Sequence, residues 1–154
     1  MLKKEIINIA IVGLGTIGKR HVMAIKKMDG IKVCGVVDLD LEAKFFCNSN
    51  NLPYFSNLED LNNSISVDGV IISTPTIMHY KTSCLALKLG LDVLIEKPIT
   101  ASVIEAKEIL DLAKKQNCKV LVGHQRRFYP LVLNTKQIIK EGKLGQVIGL
   151  SGIW

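Results

Sequence analysis

Short apolar runs alternate along the chain with longer segments in which apolar residues recur at helical spacing. The apolar runs predict strands at Ile6 to Val12, Ile31 to Val37, near Tyr54, Gly69 to Ser73, Asp92 to Ile95 and Lys119 to Val122. The periodic segments predict helices to about Met28, from about Leu41 to Ser49, after Ser56, over Thr76 to Leu89 and from Thr100 to about Gln116. This alternation indicates a parallel sheet of about six strands with helices on both faces and right-handed connections.

Two helix ends carry local signals. Gly90 follows the fourth predicted helix and can adopt the left-handed conformation that a helix C-terminus often requires. Thr100 is predicted to cap the helix after it. Its capping-box glutamate would then stand at position 103, whereas Glu105 comes two residues later.

The pattern changes beyond Gly123, where Pro130 opens a helix to about Lys140 and Val147 to Trp154 is predicted to be an apolar strand. That strand has no later strand with which to pair, and an exposed apolar edge favours association, so a homo-oligomer is possible. We therefore predict two domains: residues 1–123, and residues 124–154 as the first helix and strand of a truncated α+β domain.

Composition narrows the class of protein. The chain has 154 residues, of which 48% are hydrophobic and 22% charged, which is typical of a globular domain. Its net charge of +6 comes from scattered basic residues without interleaved aromatics, which argues against nucleic-acid binding. No apolar stretch reaches the roughly 18 residues of a membrane span, and no secretory cleavage site follows the N-terminus, so a cytoplasmic protein is expected.

The cysteines suggest neither a metal site nor a redox centre. Cys34, Cys47, Cys84 and Cys118 lie far apart and form no C-x-x-C pair. Buried, reduced thiols are the expected state.

A glycine-rich turn, G-L-G-T-I-G, joins the first predicted strand to the first helix. Gly13 would permit the tight turn, Gly15 would let the backbone approach a pyrophosphate, and Gly18 would let the helix pack on the strand. The free N–H groups of the helix N-terminus, at Thr16 and Ile17, would face the diphosphate. The setting predicts a Rossmann dinucleotide-binding unit; a glycine turn without ligand and a methyltransferase turn are the alternatives.

An acidic residue indicates which dinucleotide binds. Asp38 ends the second strand, twenty residues after Gly18, where a carboxylate accepts hydrogen bonds from the adenosine ribose. The next residues, Leu39 and Asp40, supply no arginine for a 2′-phosphate. NAD is therefore favoured over NADP.

Four motifs together resemble the Gfo/Idh/MocA oxidoreductases over the whole chain. They are G-L-G-T-I-G-K-R-H, S-T-P at Ser73 to Pro75 with His79, E-K-P at Glu96 to Pro98, and G-H-Q-R-R-F-Y-P at Gly123 to Pro130. The resemblance implies a nicotinamide-dependent dehydrogenase that acts on a hydroxyl of a sugar, nucleotide sugar or cyclitol. E-K-P after a strand is the most specific motif.

The resemblance also implies a catalytic residue. Lys97 would lie beside the nicotinamide and the substrate hydroxyl, as a proton relay or as the electrostatic partner of a developing alkoxide. Glu96 would contact the nicotinamide side, and the peptide before Pro98 is often cis in the family.

Ser73, Thr74 and Pro75 would line the cofactor cleft. The family usually has asparagine where this chain has Thr76, which leaves one cofactor hydrogen bond in doubt. His79 is either near the cofactor or hydrogen-bonded within the helix layer.

The fourth motif commonly places a side chain near the nicotinamide at the position of Gln125. The alternative is a basic loop formed with Arg126 and Arg127. His21, on the first helix, is expected to pack rather than to bind a ligand.

Two interpretations of the function follow. In the first, the chain is the cofactor domain of a dehydrogenase, whose remaining catalytic aspartate and histidine belong, by resemblance, to the C-terminal domain. In the second, it is a truncated module that binds NAD without turnover. The sequence does not identify the substrate.

Overall fold

A computed structural model of the chain describes residues 6–152. Its strands are β1 (Ile7–Val12), β2 (Ile31–Val37), β3 (Tyr54–Phe55), β4 (Gly69–Ile72), β5 (Asp92–Ile95) and β6 (Val120–Val122). Its helices are α1 (Thr16–Ile25), α2 (Leu41–Ser49), α3 (Leu58–Ser64), α4 (Thr76–Lys88), α5 (Val103–Gln116), a 3-10 helix (Gln125–Phe128) and α6 (Pro130–Lys140).

The six strands form one sheet in the order β3-β2-β1-β4-β5-β6, and every neighbouring pair is parallel. The chain runs outward from β1 to one edge, then returns to β4 beside β1 and runs outward to the other edge. This is the predicted doubly wound Rossmann sheet. Its strand order reverses between β1 and β4, where the carboxyl ends of the two strands leave a crevice.

Both faces of the sheet are packed, because successive strand residues point to opposite sides. Ala10 and Val12 of β1 belong to a core cluster that also contains residues of α3, α4 and α5. Ile11 between them belongs to a second cluster that contains residues of α1 and α2. The continuous apolar runs of β1, β2 and β4 therefore reflect burial on two sides.

The chain divides into two compact units, with the boundary between Gly123 and His124. The first unit contains the whole sheet and α1 to α5. The second contains the 3-10 helix and α6, and none of its described residues is buried.

Two sequence expectations are corrected. The strand expected over Val147 to Trp154 is not formed at residues 147–152, which pair with no other strand, and its last two residues lie outside the described part. Ser102, not Thr100, caps α5, because Ser102 Oγ accepts a hydrogen bond from Glu105 N. Thr100 instead donates its hydroxyl to the Ser102 carbonyl, 2.6 Å away.

The cysteines are free thiols: Cys34 and Cys47 are buried, whereas Cys84 and Cys118 are half-buried. Burial raises the pKa of all four, so each thiol is a weaker nucleophile than an exposed one. Within residues 6–152, no helix is both long and apolar enough to cross a bilayer.

Candidate cofactor-binding cleft

A cleft of about 660 Å³ opens where the strand order reverses, at the carboxyl ends of β1, β2 and β4. Ligands of doubly wound sheets bind in this crevice. Its lining includes these residues predicted from the sequence: Gly13, Gly15, Thr16, Ile17, Asp38, Ser73, Thr74 and Pro75.

Gly13 and Gly18 hold the turn together by close backbone contacts. Gly13 has φ +89°, a conformation that disfavours other residues, and a Cβ there would lie 2.7 Å from Thr74 N. A Cβ on Gly18 would lie 2.1 Å from the Gly13 carbonyl oxygen. The first glycine thus lets β4's loop approach β1, and the last lets α1 pack against the turn. Gly18 supports the cleft without lining it.

Gly15 differs from the other two glycines, because a Cβ there would meet no atom within 4 Å. It is the N-cap of α1 and has no side chain to cap the helix. The first turn of α1 also contains no acidic residue. The open space over Gly15 and the positive end of the helix dipole therefore suit an anion.

Helix α4 also begins at the cleft. Its N-cap, Pro75, makes no side-chain cap hydrogen bond, and its first turn has no acidic residue. By contrast, α2, α3 and α5 are capped by Asp40, Asn57 and Ser102. Within the described helices of the first unit, the two that lack such a cap, α1 and α4, both begin at the cleft, where the capped helix α3 also begins.

Asp38 stands at the end of β2 with its carboxylate bound to backbone. Oδ2 accepts from Leu14 N at 2.5 Å, and Oδ1 accepts from Asp40 N at 2.9 Å. Each oxygen can accept a further hydrogen bond. The Tyr54 hydroxyl donates to the Asp38 carbonyl at 2.8 Å, which fixes the end of the strand.

The loop after β4 carries one hydroxyl that is hydrogen-bonded and one that has no hydrogen-bond partner. Ser73 Oγ donates to the Gly13 carbonyl at 2.7 Å and so binds the loop to the glycine turn. Thr74 Oγ1 is buried without a hydrogen-bond partner. Buried polar atoms are normally paired, so an unpaired hydroxyl on a residue lining the cleft fits a ligand with a polar group.

The cleft also has residues that the sequence analysis did not single out. They are Ser56, Asn57, Leu58, Glu59, Met78, Thr82 and Leu85; Leu39 and the strand ends Val12 and Val37 also line the cleft. The loop after β3 enters because β3 pairs with β2 and so ends beside Asp38. Knowledge of the strand order would have placed this loop at the cleft. Its residues match no motif, so the sequence alone did not indicate it.

Glu96 and Lys97 follow β5, the neighbour of β4, at the same carboxyl-terminal end of the sheet. They do not line the cleft. The Lys97–Pro98 peptide is cis, as the resemblance implied. Lys97 is exposed, whereas the Glu96 side chain is 13% exposed and its Oε1 lies 2.9 Å from His21 Nε2. Glu96 thus faces α1.

His79 lies in the helix layer, the second of its two predicted environments. It is 1% exposed, and both ring nitrogens are near backbone carbonyls: Nδ1 is 2.9 Å from Pro98 O and Nε2 is 2.8 Å from Thr74 O. Both ring nitrogens thus lie against backbone carbonyls of the protein. A contact of His79 with a cofactor stays a prediction.

Gln125 lies in the second unit, where it begins the 3-10 helix with Arg126 and Arg127. The side chains of this short helix are exposed. Its role near a nicotinamide stays a prediction.

Cys47 on α2 lies close enough to Asp38 for an electrostatic effect. Burial, and then the nearby negative charge of Asp38, raise the pKa of Cys47.

The sheet and its cleft define a Rossmann α/β protein with a cleft at the point where the strand order reverses. The family model for Gfo/Idh/MocA proteins, described as an oxidoreductase family with an NAD-binding Rossmann fold, matches residues 7–124. The chain belongs to this family of NAD-binding oxidoreductases, as its four motifs implied.

Similar proteins include inositol dehydrogenases and a dehydrogenase whose structure contains a nucleotide sugar. Inositol 2-dehydrogenase of Corynebacterium glutamicum strain R is 28% identical over 96% of this chain and 45% of its own length. The structure of scyllo-inositol dehydrogenase from Lactobacillus casei with NAD(H) and scyllo-inositol has a TM-score of 0.85 and 27% identity, covering 92% of this chain and 43% of that one. The WlbA dehydrogenase from Chromobacterium violaceum with NADH and UDP-GlcNAcA has a TM-score of 0.86 and 26% identity, covering 94% and 42%.

The chain spans less than half the length of each of these three relatives.

Proposed function

We propose that the cleft binds NAD, and that the chain is the cofactor-binding part of a dehydrogenase acting on a hydroxyl of a sugar, nucleotide sugar or cyclitol. The observation that carries the proposal is the convergence of Gly15, the uncapped start of α1, Asp38 and the unpaired Thr74 hydroxyl in one cleft.

Each part of the cleft suits one part of the dinucleotide. The open backbone at Gly15, with the N–H groups of Thr16 and Ile17, would hold the pyrophosphate. Asp38 would accept hydrogen bonds from the adenosine ribose, and Thr74 Oγ1 would gain its missing partner from the cofactor.

The charge at the adenosine end favours NAD over NADP. A 2′-phosphate would approach the carboxylate of Asp38, and Glu59 adds a second carboxylate to the same cleft. Leu39 and Asp40 offer no positive charge in return. Like charges repel strongly in a partly desolvated cleft.

For the chemical step, bound NAD would supply the hydride acceptor. Lys97, at the same carboxyl-terminal end of the sheet, would either relay the proton of the substrate hydroxyl, if it is neutral, or stabilise the developing alkoxide as an ammonium group. Gln125 would lie near the nicotinamide by family resemblance. Inositol and nucleotide-sugar relatives support the substrate class.

Calorimetric titration with NAD and NADP tests the cofactor. The wild-type chain should bind NAD more tightly than NADP. Asp38→Ala should weaken NAD binding about tenfold to a hundredfold, as expected for lost hydrogen bonds to a charged group, and should narrow the preference. Glu42→Ala, an exposed acid of α2 outside the cleft, is the charge-matched control. Equal or tighter binding of NADP by the wild type would contradict the proposal.

Turnover is tested separately, because the alternative function is NAD binding without catalysis. We expect the 154-residue polypeptide to bind NAD and to show no measurable NAD reduction with polyols or nucleotide sugars, because family resemblance assigns further catalytic groups to the C-terminal domain. Absorbance at the NADH band is the measurement. Turnover that Lys97→Ala abolishes would contradict this expectation and favour a complete active site.

A further inference from the structure

Two histidines from different helices contact the two ends of the turn that carries Lys97. His21 of α1 reaches Glu96, with Nε2 2.9 Å from Oε1. His79 of α4 reaches the carbonyl of Pro98, with Nδ1 2.9 Å from the oxygen. Lys97 is the residue between these two contacts.

The first contact joins two largely buried side chains that are far apart in the sequence. His21 and Glu96 are 75 residues apart in sequence, and their side chains are 24% and 13% exposed. The other carboxylate oxygen, Oε2, accepts a hydrogen bond from Lys97 N at 3.2 Å. A Cβ on Gly123 would lie 3.1 Å from Glu96 Oε1, so the glycine leaves room for the carboxylate. Glu96 thus joins α1 to the backbone of Lys97.

The second contact joins the turn to the cleft. His79 is 1% exposed, and its Nε2 lies 2.8 Å from the carbonyl of Thr74, the residue whose own hydroxyl is unpaired. Carbonyl oxygens only accept, so whichever ring nitrogen carries the proton donates to one of the two loops. The ring therefore lies between the loop after β4 and the turn after β5.

We propose that His21 and His79 are positioning residues that fix both ends of the Glu96–Pro98 turn and so determine where Lys97 is presented. Neither needs to touch the cofactor or substrate. Lysine has a long, flexible side chain, so the direction of its backbone decides which volume the ammonium samples. Such support favours catalysis, because a small displacement of a reacting group lowers the reaction rate. The proposal rests on the proposed function of Lys97.

The backbone amide of Lys97 reports the state of the turn directly, because it donates to Glu96 Oε2. We would record its ¹H shift and its hydrogen-exchange rate in the ¹⁵N-labelled 154-residue chain without NAD. In His21→Ala the unsupported carboxylate should release the amide, which should move upfield and exchange about tenfold faster. His21→Gln can donate from its own Nε2 and should restore most of both values. Met23→Ala, an exposed residue of the same helix, is the control.

The two contacts of His79 are separated by paired variants. His79→Asn places an amide near Nδ1 and should keep the Pro98 contact and the Lys97 signal. His79→Gln places it near Nε2 and should keep the Thr74 contact while displacing the Lys97 signal. Melting temperatures are recorded for every variant.

A Lys97 amide that is unchanged in both His21→Ala and His79→Gln, whatever their melting temperatures, would overturn the proposal. So would equal displacement by His21→Ala and His21→Gln. Because no cofactor is present, these outcomes are independent of whether the cleft binds NAD.

Discussion

Gly18 cannot carry a side chain without moving backbone, whereas Gly15 can. A Cβ on Gly18 would lie 2.1 Å from a carbonyl oxygen of the turn itself, and at Gly15 it would enter open space. The same motif therefore contains one glycine that the packing requires and one above which the space is open, where we propose that the ligand approaches.

Gly18→Ala should lower the free energy of unfolding by about 1–3 kcal/mol, the usual cost of overpacking, and should also abolish NAD binding. Gly15→Ala should leave stability within about 0.5 kcal/mol, because its φ of −64° is accessible to alanine, yet should weaken NAD binding. Denaturant titration and calorimetry measure the two effects. Wild-type NAD affinity in Gly15→Ala would contradict placement of the pyrophosphate here.

The sequence predicted those cleft residues that belong to the glycine-rich fingerprint or to the acidic position that follows it, such as Gly13 and Asp38. They did not predict the surroundings of His79, because its two carbonyl partners come from loops that only the folded sheet brings together. For the same reason, the pairing of His21 with Glu96 was not visible in the sequence.

Among the elements, the bounds of β2, α2 and β5 agree with the sequence prediction, because each is a compact apolar or periodic run with clear ends. The start of α5 was predicted too early. With Ser102 as the N-cap, Glu105 occupies the third helical position, the place of a capping-box glutamate. Glu105 is thus at the correct distance from Ser102, and it is two residues late only if Thr100 is regarded as the N-cap.

Helices α4 and α5 are joined by a hydrogen bond from the Tyr80 hydroxyl to Glu108 Oε2. This bond, followed by burial, raises the pKa of Tyr80 from 10.0 to about 12. Because the folded pKa lies above the unfolded one, the bond stabilises the fold below pH 10, and this contribution is lost as pH rises through about 12.

The difference in phenolate absorbance between wild type and Tyr80→Phe should therefore titrate with a midpoint near 12. In Glu108→Ala the midpoint should move toward 10, since the largest cause of the shift is removed. Circular dichroism checks that the chain stays folded over the titration. A midpoint that does not move in Glu108→Ala would refute the assignment.

On the scale of the whole molecule, the order of the strands decides more than any single motif. Right-handed connections predict the doubly wound sheet, and its reversal point gives the place of the cleft. The side of the cleft formed by Ser56 to Glu59 depends on the pairing of β3, a strand of only two residues, with β2. Such a short strand carries little pattern, which is why its loop was not assigned to the site.

The two compact units differ in what they contribute to the fold and the cleft. Every described core residue lies at or before Ala113, and every residue lining the cleft lies at or before Leu85. Because the described residues of the second unit include no buried side chain, its own apolar contacts supply little stability.

A chain of residues 1–123 should therefore fold and bind NAD with an affinity within about threefold of the 154-residue chain. Its free energy of unfolding should differ by less than about 1 kcal/mol, since the core and the sheet are intact. Denaturant titration and calorimetry on the two lengths provide the comparison, and Gly18→Ala in the shorter chain serves as the binding-deficient control. Loss of NAD binding or of the cooperative transition in residues 1–123 would show that the second unit completes the site or the fold. Loss of binding would extend the cofactor site into the second unit, in which Gln125 lies. Retained binding would instead assign the whole adenosine and pyrophosphate site to the first unit.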